Sequence, residues 1–229
     1  MQLSIIIPTW CEAAAIADTI SAARACADEI IVVDAGGDDG TEDVARGAGA
    51  TVVRGAMKGR GPQMDAGARA ASGDVLLFLH ADARLPPGAR SAMESALADP
   101  DIGGGNFGLR FVPRTMLGDV FGAVNFVRRF AGIYYGDSAI FVRREVYAEL
   151  GGFRPLPLFE DYEFARRLER SKKTRFLWRV PVEVSDRRYA HQPLRTVAIW
   201  AALQALYSAG ASPEWLARFY ADIRRARAT

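Results

Sequence analysis

The 229-residue sequence predicts an α/β fold: a mostly parallel sheet flanked by helices, with a C-terminal helical pair. Three observations carry that prediction. Short runs rich in Ile and Val alternate with Ala-rich helical stretches over the first hundred residues, the pattern of β-α-β units whose strands are covered on both faces. Half of the residues are apolar and 24% are charged, which suits one sizeable core and excludes disordered or collagen-like chains. No internal repeat or low-complexity linker divides the chain, so a single globule is expected.

Element by element, Leu3 to Pro8 reads as the first strand and Glu12 to Ala25 as a helix. Glu29 to Asp34 is the second strand, followed by a short helix from Thr41. Thr51 to Arg54 is the third, with a helix near Gln63 to Ala71. Asp74 to His80 is the fourth, and a helix follows Pro86 and Pro87 because proline suits a first helical turn. After Pro100 the rhythm changes. Gly103, Gly104 and Gly105 precede a strand from Asn106 to Phe111, then come a helix, a strand from Ala139 to Arg143, a helix from Glu160 to Ser171 and a strand from Arg175 to Val180. Helices at Leu194 to Ser208 and Pro213 to Arg227 end the chain.

The formal charge of +2 hides an asymmetry. Up to Asp101 there are 8 Lys and Arg against 15 Asp and Glu; beyond it there are 21 against 12. This is not the single-signed field of a nucleic-acid binder, but it suits a cleft where carboxylates and guanidinium groups face one ligand. The two cysteines, Cys11 and Cys26, form no CxxC or Cys/His motif, so a reducing, cytoplasmic compartment is expected. Leu3 to Ile7 is too short for a signal peptide or span. The uncharged stretch from Thr196 to Pro213, broken by Gln204, Ser208 and Gly210, reads as a buried or interfacial helix.

In open parallel sheets ligands sit beyond the carboxyl ends of the strands, where loops and helix N-termini converge. Those ends carry Pro8-Thr9, Asp34-Ala35-Gly36-Gly37, Lys58-Gly59-Arg60-Gly61 and His80-Ala81-Asp82. Alternation at a strand end would put His80 and Asp82 on one side, facing a divalent cation, with Ala81 turned away. The plainer alternative is that Asp82 caps the next turn. Gly36 and Gly37 allow a ligand ring close to the backbone and Asp34 can accept from a ribose or base, whereas Asp39 reads as a helix cap. Arg60 lies where a helix N-terminus and a guanidinium can meet a diphosphate, or else in a solvated turn. Both G-x-x-x-x-G-K-[ST] and G-x-G-x-x-G are absent after the first strand, which argues against ATPases and dehydrogenases. Glu160 and Asp161 open a helix, where acidic groups are favoured by the dipole whatever their role; one of them can instead be a general base. Arg187 and Arg188, with His191, follow the last strand and can bind phosphate or face solvent.

With Pro8-Thr9-x-x-Glu12, Asp34 to Thr41, Leu79-His80-Ala81-Asp82 and Glu160-Asp161 in this order, the sequence resembles a family 2 glycosyltransferase of the GT-A fold over nearly its whole length. More narrowly, Gly136-Asp137-Ser138-Ala139-Ile140-Phe141-Val142-Arg143-Arg144, Phe159-Glu160-Asp161 and Asp186-Arg187-Arg188-Tyr189 are similar to segments of a bacterial subgroup labelled arsenosugar-biosynthesis or selenodomain-associated glycosyltransferases. The resemblance implies a nucleotide-diphospho-sugar donor, a hydroxyl acceptor, a divalent cation (Mn²⁺ or Mg²⁺) and inversion at the anomeric carbon. It implies one domain over 1–229, with a nucleotide-binding half at 1–101, an acceptor and catalytic part at 102–192 and helices at 193–229. By motif position Pro8, Thr9, Glu12, Asp34, Gly36, Arg60 and Ala81 line the donor site, Asp82, His80 and His191 hold the metal, Asp161 is the base with Glu160 beside it, and Asp137, Arg187 and Arg188 face phosphate or acceptor. The sequence departs from the wider family at Cys11, Ala35 and His80. The acceptor pocket is expected around Asn106, Tyr134 to Asp137 and Leu156 to Phe159. A sugar nucleotidyltransferase and a non-catalytic nucleotide-sugar binder of the same fold stay open as alternatives. The apolar residues of the C-terminal pair, including Trp200, Leu203, Trp215 and Phe219, read as core packing, with a dimer contact or a membrane surface as further options.

Overall fold

The computed structural model describes residues 1–54, 58–185 and 193–225. One eight-stranded sheet runs through it, in the order β3-β2-β1-β4-β7-β6-β8-β5. Its strands are β1 Leu3–Thr9, β2 Glu29–Asp34, β3 Thr51–Arg54, β4 Val75–Phe78, β5 Ala83–Arg84, β6 Ile102–Val112, β7 Ile140–Arg143 and β8 Lys173–Ser185. The helices are α1 Ala13–Arg24, α2 Thr41–Gly47, α3 Arg60–Ala70, α4 Ala89–Leu97, α5 Met116–Arg129, α6 Arg144–Glu149, α7 Glu160–Ser171, α8 Pro193–Ser208 and α9 Pro213–Arg225. Strands β1 to β4 pair in parallel, β7 enters antiparallel between β4 and β6, and β8 returns parallel to β6. This is the mostly parallel sheet flanked by helices that the sequence predicts.

Strand alternation splits the core. Leu3, Ile5 and Ile7 face a cluster with α1 and α4, while Ile6, Ile31, Val33 and Phe78 face the other side with Met64 of α3 and Phe164 of α7. Phe78 is wedged edge-on against Phe153 at 4.8 Å. A third cluster joins Phe159 and Tyr162 to Leu203 of α8 and Leu216 of α9.

Several expected boundaries move. The fourth strand stops at Phe78 because its pairing with β1 and β7 ends there, and residues 79 to 82 turn instead, with the Ala83 N–H donating to the His80 carbonyl at 3.1 Å. The alternation argument for His80 and Asp82 therefore does not apply: they sit in a turn that sends β5 antiparallel onto β8. Gly103 to Gly105 lie inside β6, not before it. A β-carbon on Gly105 would fall 1.9 Å from the Arg175 carbonyl oxygen, so only glycine lets β6 and β8 close there. The last strand is longer than expected at both ends, β5 and α6 had no clear sequence signal, and Arg60 to Pro62 already form the first turn of α3.

Candidate active site

At the carboxyl edge of the sheet, β1 and β2 end in register at Thr9 and Asp34. Both are buried, and so is Pro8. Asp34 Oδ1 accepts from Thr9 Oγ1 at 3.0 Å, and Oδ2 accepts from the Gly36 and Gly37 N–H groups at 2.8 and 3.1 Å. The carboxylate thus fixes the glycine turn, whose exposed Gly36 has φ +85°. Gln63 of α3, which no motif in the sequence marks, ties the same strand ends by donating to the Thr9 and Val33 carbonyls at 2.7 and 2.8 Å.

Glu12 stands just before α1, its N–H donating to Thr41 Oγ1 at 2.8 Å. Asp39 is a cap, as expected, and serves two helices: it accepts from the Thr41 N–H at the start of α2 at 3.1 Å and from the Ala13 N–H at the start of α1 at 2.9 Å. Hydrogen bonds from Thr41 and Ala13 hold the Asp39 carboxyl below its ordinary range. Over this rim the Lys58 Nζ sits 3.2 Å from the Trp10 ring centroid, a cation–π contact between the loops after β1 and β3.

The acidic end is built by α7. Phe159, at φ +66°, bends the chain into the helix and delivers Glu160 and Asp161 to its first turn. Asp161 Oδ2 accepts from the Gly136 N–H at 2.7 Å and Oδ1 from the Tyr162 N–H at 2.7 Å. Gly136 begins a short 3-10 turn, Gly136–Ser138, leading into β7. A β-carbon there would lie 2.9 Å from His80 Nε2 and 3.1 Å from Asp161 Oδ2. Each group being about 3 Å from that one point, the imidazole and the carboxylate are within about 6 Å of each other. The β4 end and the α7 start therefore share one site. Glu160 is buried, and burial first, then the Asp161 charge, pushes its carboxyl up to about 7, against the pull of Arg60. Helix α3 reaches the same corner: a β-carbon on Gly61 would meet the Arg154 carbonyl oxygen at 2.6 Å and Glu160 Cβ at 3.3 Å.

Ala81 is buried, its carbonyl accepting from Thr19 Oγ1 at 2.6 Å, while His80 and Asp82 are half-buried. Among the described residues no group of three His, Cys, Asp or Glu forms a ready cation cage. The donor set still fits Mn²⁺ or Mg²⁺. Such cations use one or two carboxylates and complete their shell with water and substrate phosphates, so one carboxylate and one imidazole two residues apart in the same turn are a sufficient protein share. Arg187, Arg188 and His191 lie outside the described residues.

A cavity of about 590 Å³ opens between α5, β6 and β8, lined among others by Asn106, Tyr134, Tyr135, Phe126 and Trp178. It lies beside the Gly136 turn, since Tyr135 and Ser138 also line it. Asn106 is braced there by Arg129 Nε at 2.6 Å and Ser138 Oγ at 3.1 Å, and Arg129 pairs with Glu169 at 3.0 Å. Leu158 and Phe159, expected in the same pocket, pack against the C-terminal helices instead. Asp137 is half-buried in the 3-10 turn. Tyr135 donates its hydroxyl hydrogen to Gln204 of α8.

Residues 4–112 match glycosyl transferase family 2. Among solved structures, glucosyl-3-phosphoglycerate synthase from Mycobacterium tuberculosis, in complex with Mn²⁺, UDP and glucosyl-3-phosphoglycerate, superposes with a TM-score of 0.58 at 20% identity, over 80% of this chain and 70% of that one. S. aureus TarS 1-349 in complex with UDP-GlcNAc superposes with a TM-score of 0.64 at 16% identity, over 81% of this chain and 58% of that one. The chain thus spans 58% to 70% of the length of these two neighbours. The solved neighbours share the fold of this chain.

Proposed function

We propose that the chain is a family 2 glycosyltransferase that moves a sugar from a nucleotide-diphospho-sugar to a hydroxyl acceptor, with inversion. The observation that carries the reading is the convergence of His80 and Asp161 on Gly136, at the strand edge where Arg60 and the Gly36 turn also lie. Glu12 and Gly36 form the nucleoside end, with the buried Pro8, Thr9 and Asp34 beneath fixing its shape, and the N-terminus of α3 with Arg60 faces the diphosphate. Mn²⁺ and UDP occur together in the structural neighbour from M. tuberculosis, which supports a metal-dependent donor site here.

Asp82 and His80, joined by His191 on the strength of the sequence motif, would hold a divalent cation, which when bound neutralises charge building on the departing diphosphate. Asp161 accepts the acceptor hydroxyl proton as that oxygen attacks the anomeric carbon from the face opposite the diphosphate, which inverts the centre. The Gly136 N–H steadies the carboxylate in that orientation. Glu160, its carboxyl pushed up to about 7, carries only part of its charge near neutral pH and so spares Asp161 a second full negative charge at close range. By the sequence motif alone, Asp137, Arg187 and Arg188 would face the acceptor or phosphate. The cavity beside Tyr135 is the acceptor's route. Free Cys11 and Cys26 suit a cytoplasmic setting, and no described helix is long and apolar enough to cross a membrane.

Thermal-shift titration of UDP- and other nucleotide-sugars with and without Mn²⁺, followed by turnover with a hydroxyl acceptor, tests the reading. Release of nucleoside diphosphate with an inverted glycoside supports it. Pyrophosphate formation from a nucleotide triphosphate would mark a nucleotidyltransferase instead, and binding without turnover a non-catalytic relative.

A further inference from the structure

We propose that the outer face of α5, together with Trp178, is a docking surface for an anionic lipid bilayer. The proposal rests on the surface alone and not on the transfer reaction. A surface helix ordinarily turns its polar side outward; α5 does the reverse. Its inner side carries Gly118, Phe121, Gly122, Asn125 and Arg129, with the Phe121 ring 6.1 Å from Phe111 and Arg129 buried. Its outer side carries Met116, Val120, Val124 and Val127, 86%, 50%, 46% and 67% exposed, and Phe130 just past its end, 77% exposed. Spacings of four, four, three and three residues keep all five on one stripe. Phe126 extends the stripe sideways, 5.2 Å from Phe130 and 6.1 Å from Trp178 of β8, itself half exposed.

Charge complementarity decides the occupant. Around this stripe stand Arg110, Arg114, Arg128 and Arg179; Arg110 pairs with Glu183 and Arg114 with Asp119, which leaves Arg128 and Arg179 as the surplus of positive charge. The Arg179 guanidinium lies 4.8 Å from the Trp178 ring, so its charge sits at the border of the apolar face. An apolar stripe with a surplus of arginine at its edge is the composition of a helix lying in a headgroup layer. A second copy is the poorer occupant, because a two-fold contact would set one basic rim against another. Phe126 and Trp178 also line the cavity beside Tyr135, so a seated molecule brings that cavity against the bilayer.

Vesicle co-sedimentation of the full chain tests the proposal. The protein should pellet with phosphatidylcholine vesicles containing about 30% phosphatidylserine, stay in solution with phosphatidylcholine alone, and be released by salt at about 0.5 M, where screening is short-ranged. Val127→Ser with Phe130→Ser should lower the bound fraction about tenfold with an unchanged circular-dichroism melt, since both side chains are exposed. The proposal is overturned if the wild type stays in the supernatant with anionic vesicles, if it binds both vesicle types alike, or if the folded double variant binds as before. It is also overturned if light scattering shows a dimer that the double variant splits, which would mean that a second copy covers this face. The vesicle and salt arms use the wild type and need no variant.

Discussion

His80 Nε2 and Asp161 Oδ2 approach one point in space from two elements about 80 residues apart; that point is the missing β-carbon of Gly136, 2.9 Å from one and 3.1 Å from the other. The main chain of Gly136 also donates to Asp161 at 2.7 Å, so the glycine both spaces and orients the pair.

Gly136→Ala should therefore push the imidazole and the carboxylate apart. Turnover should fall about 10²-fold, the usual cost of displacing a reacting group by an ångström, with a stability loss of about 1–3 kcal/mol from overpacking. Steady-state kinetics and urea unfolding on the same sample check it. Activity within twofold of the wild type would show that the spacing is not critical.

Asp161→Asn should lower kcat by about 10²–10⁴-fold, the weight of a general base. Donor affinity should change little, because in the proposed reaction the carboxylate serves the acceptor. Calorimetric titration of UDP with Mn²⁺ beside a kcat measurement separates this from a structural role, in which both would collapse.

Asp82→Ala should abolish the part of the UDP-induced melting shift that depends on Mn²⁺, as should a chelator on the wild type. A ligand present at a hundred times its Kd adds about 2.7 kcal/mol, a shift large enough to read. An undiminished Mn²⁺-dependent shift in the variant would place the cation elsewhere.

Glu160 supplies a pH signature. Burial raises its carboxyl from 4.5 to about 7 in the folded protein, so the folded state holds a proton that the unfolded state releases earlier. Its favourable contribution is complete below pH 4.5 and is lost as pH rises through about 7. Glu160→Gln, which stays neutral, should be more stable than the wild type at pH 8 by about 3 kcal/mol and indistinguishable from it at pH 4. Urea midpoints across that range measure it; equal slopes for the two proteins would contradict the raised value.

Where periodicity and chemistry were local, the sequence was readable. Thr51–Arg54 forms the third strand as expected and α7 opens on Glu160, because apolar runs and acidic first turns are set by near neighbours. The His80 turn was not readable in the same way. Whether a strand continues to His80 or stops at Phe78 depends on partners on β7, about 60 residues distant. Gly103 to Gly105 looked like a loop because glycine is usually a breaker; here it answers a close approach of β8 that no local window contains. Gly136 carried no special backbone angle, and its importance appears only once His80 and Asp161 stand on either side of it. The outward apolar stripe of α5 was invisible for a related reason: both sides of the helix contain apolar residues, and only the fold says which side is covered.

Phe159 holds its left-handed bend inside an aromatic cage from α8, with Tyr207 at 4.7 Å and Trp200 at 6.2 Å, while Gln204 grips Tyr135 on the neighbouring loop. The tail of the chain is thus a clasp on the acid that begins α7. Shortening the protein before Pro193, a tempting step when a sheet domain is trimmed for expression, would, on the proposed function, leave the nucleotide end intact and the α7 start slack. Such a trimmed product would retain nucleotides yet turn over poorly.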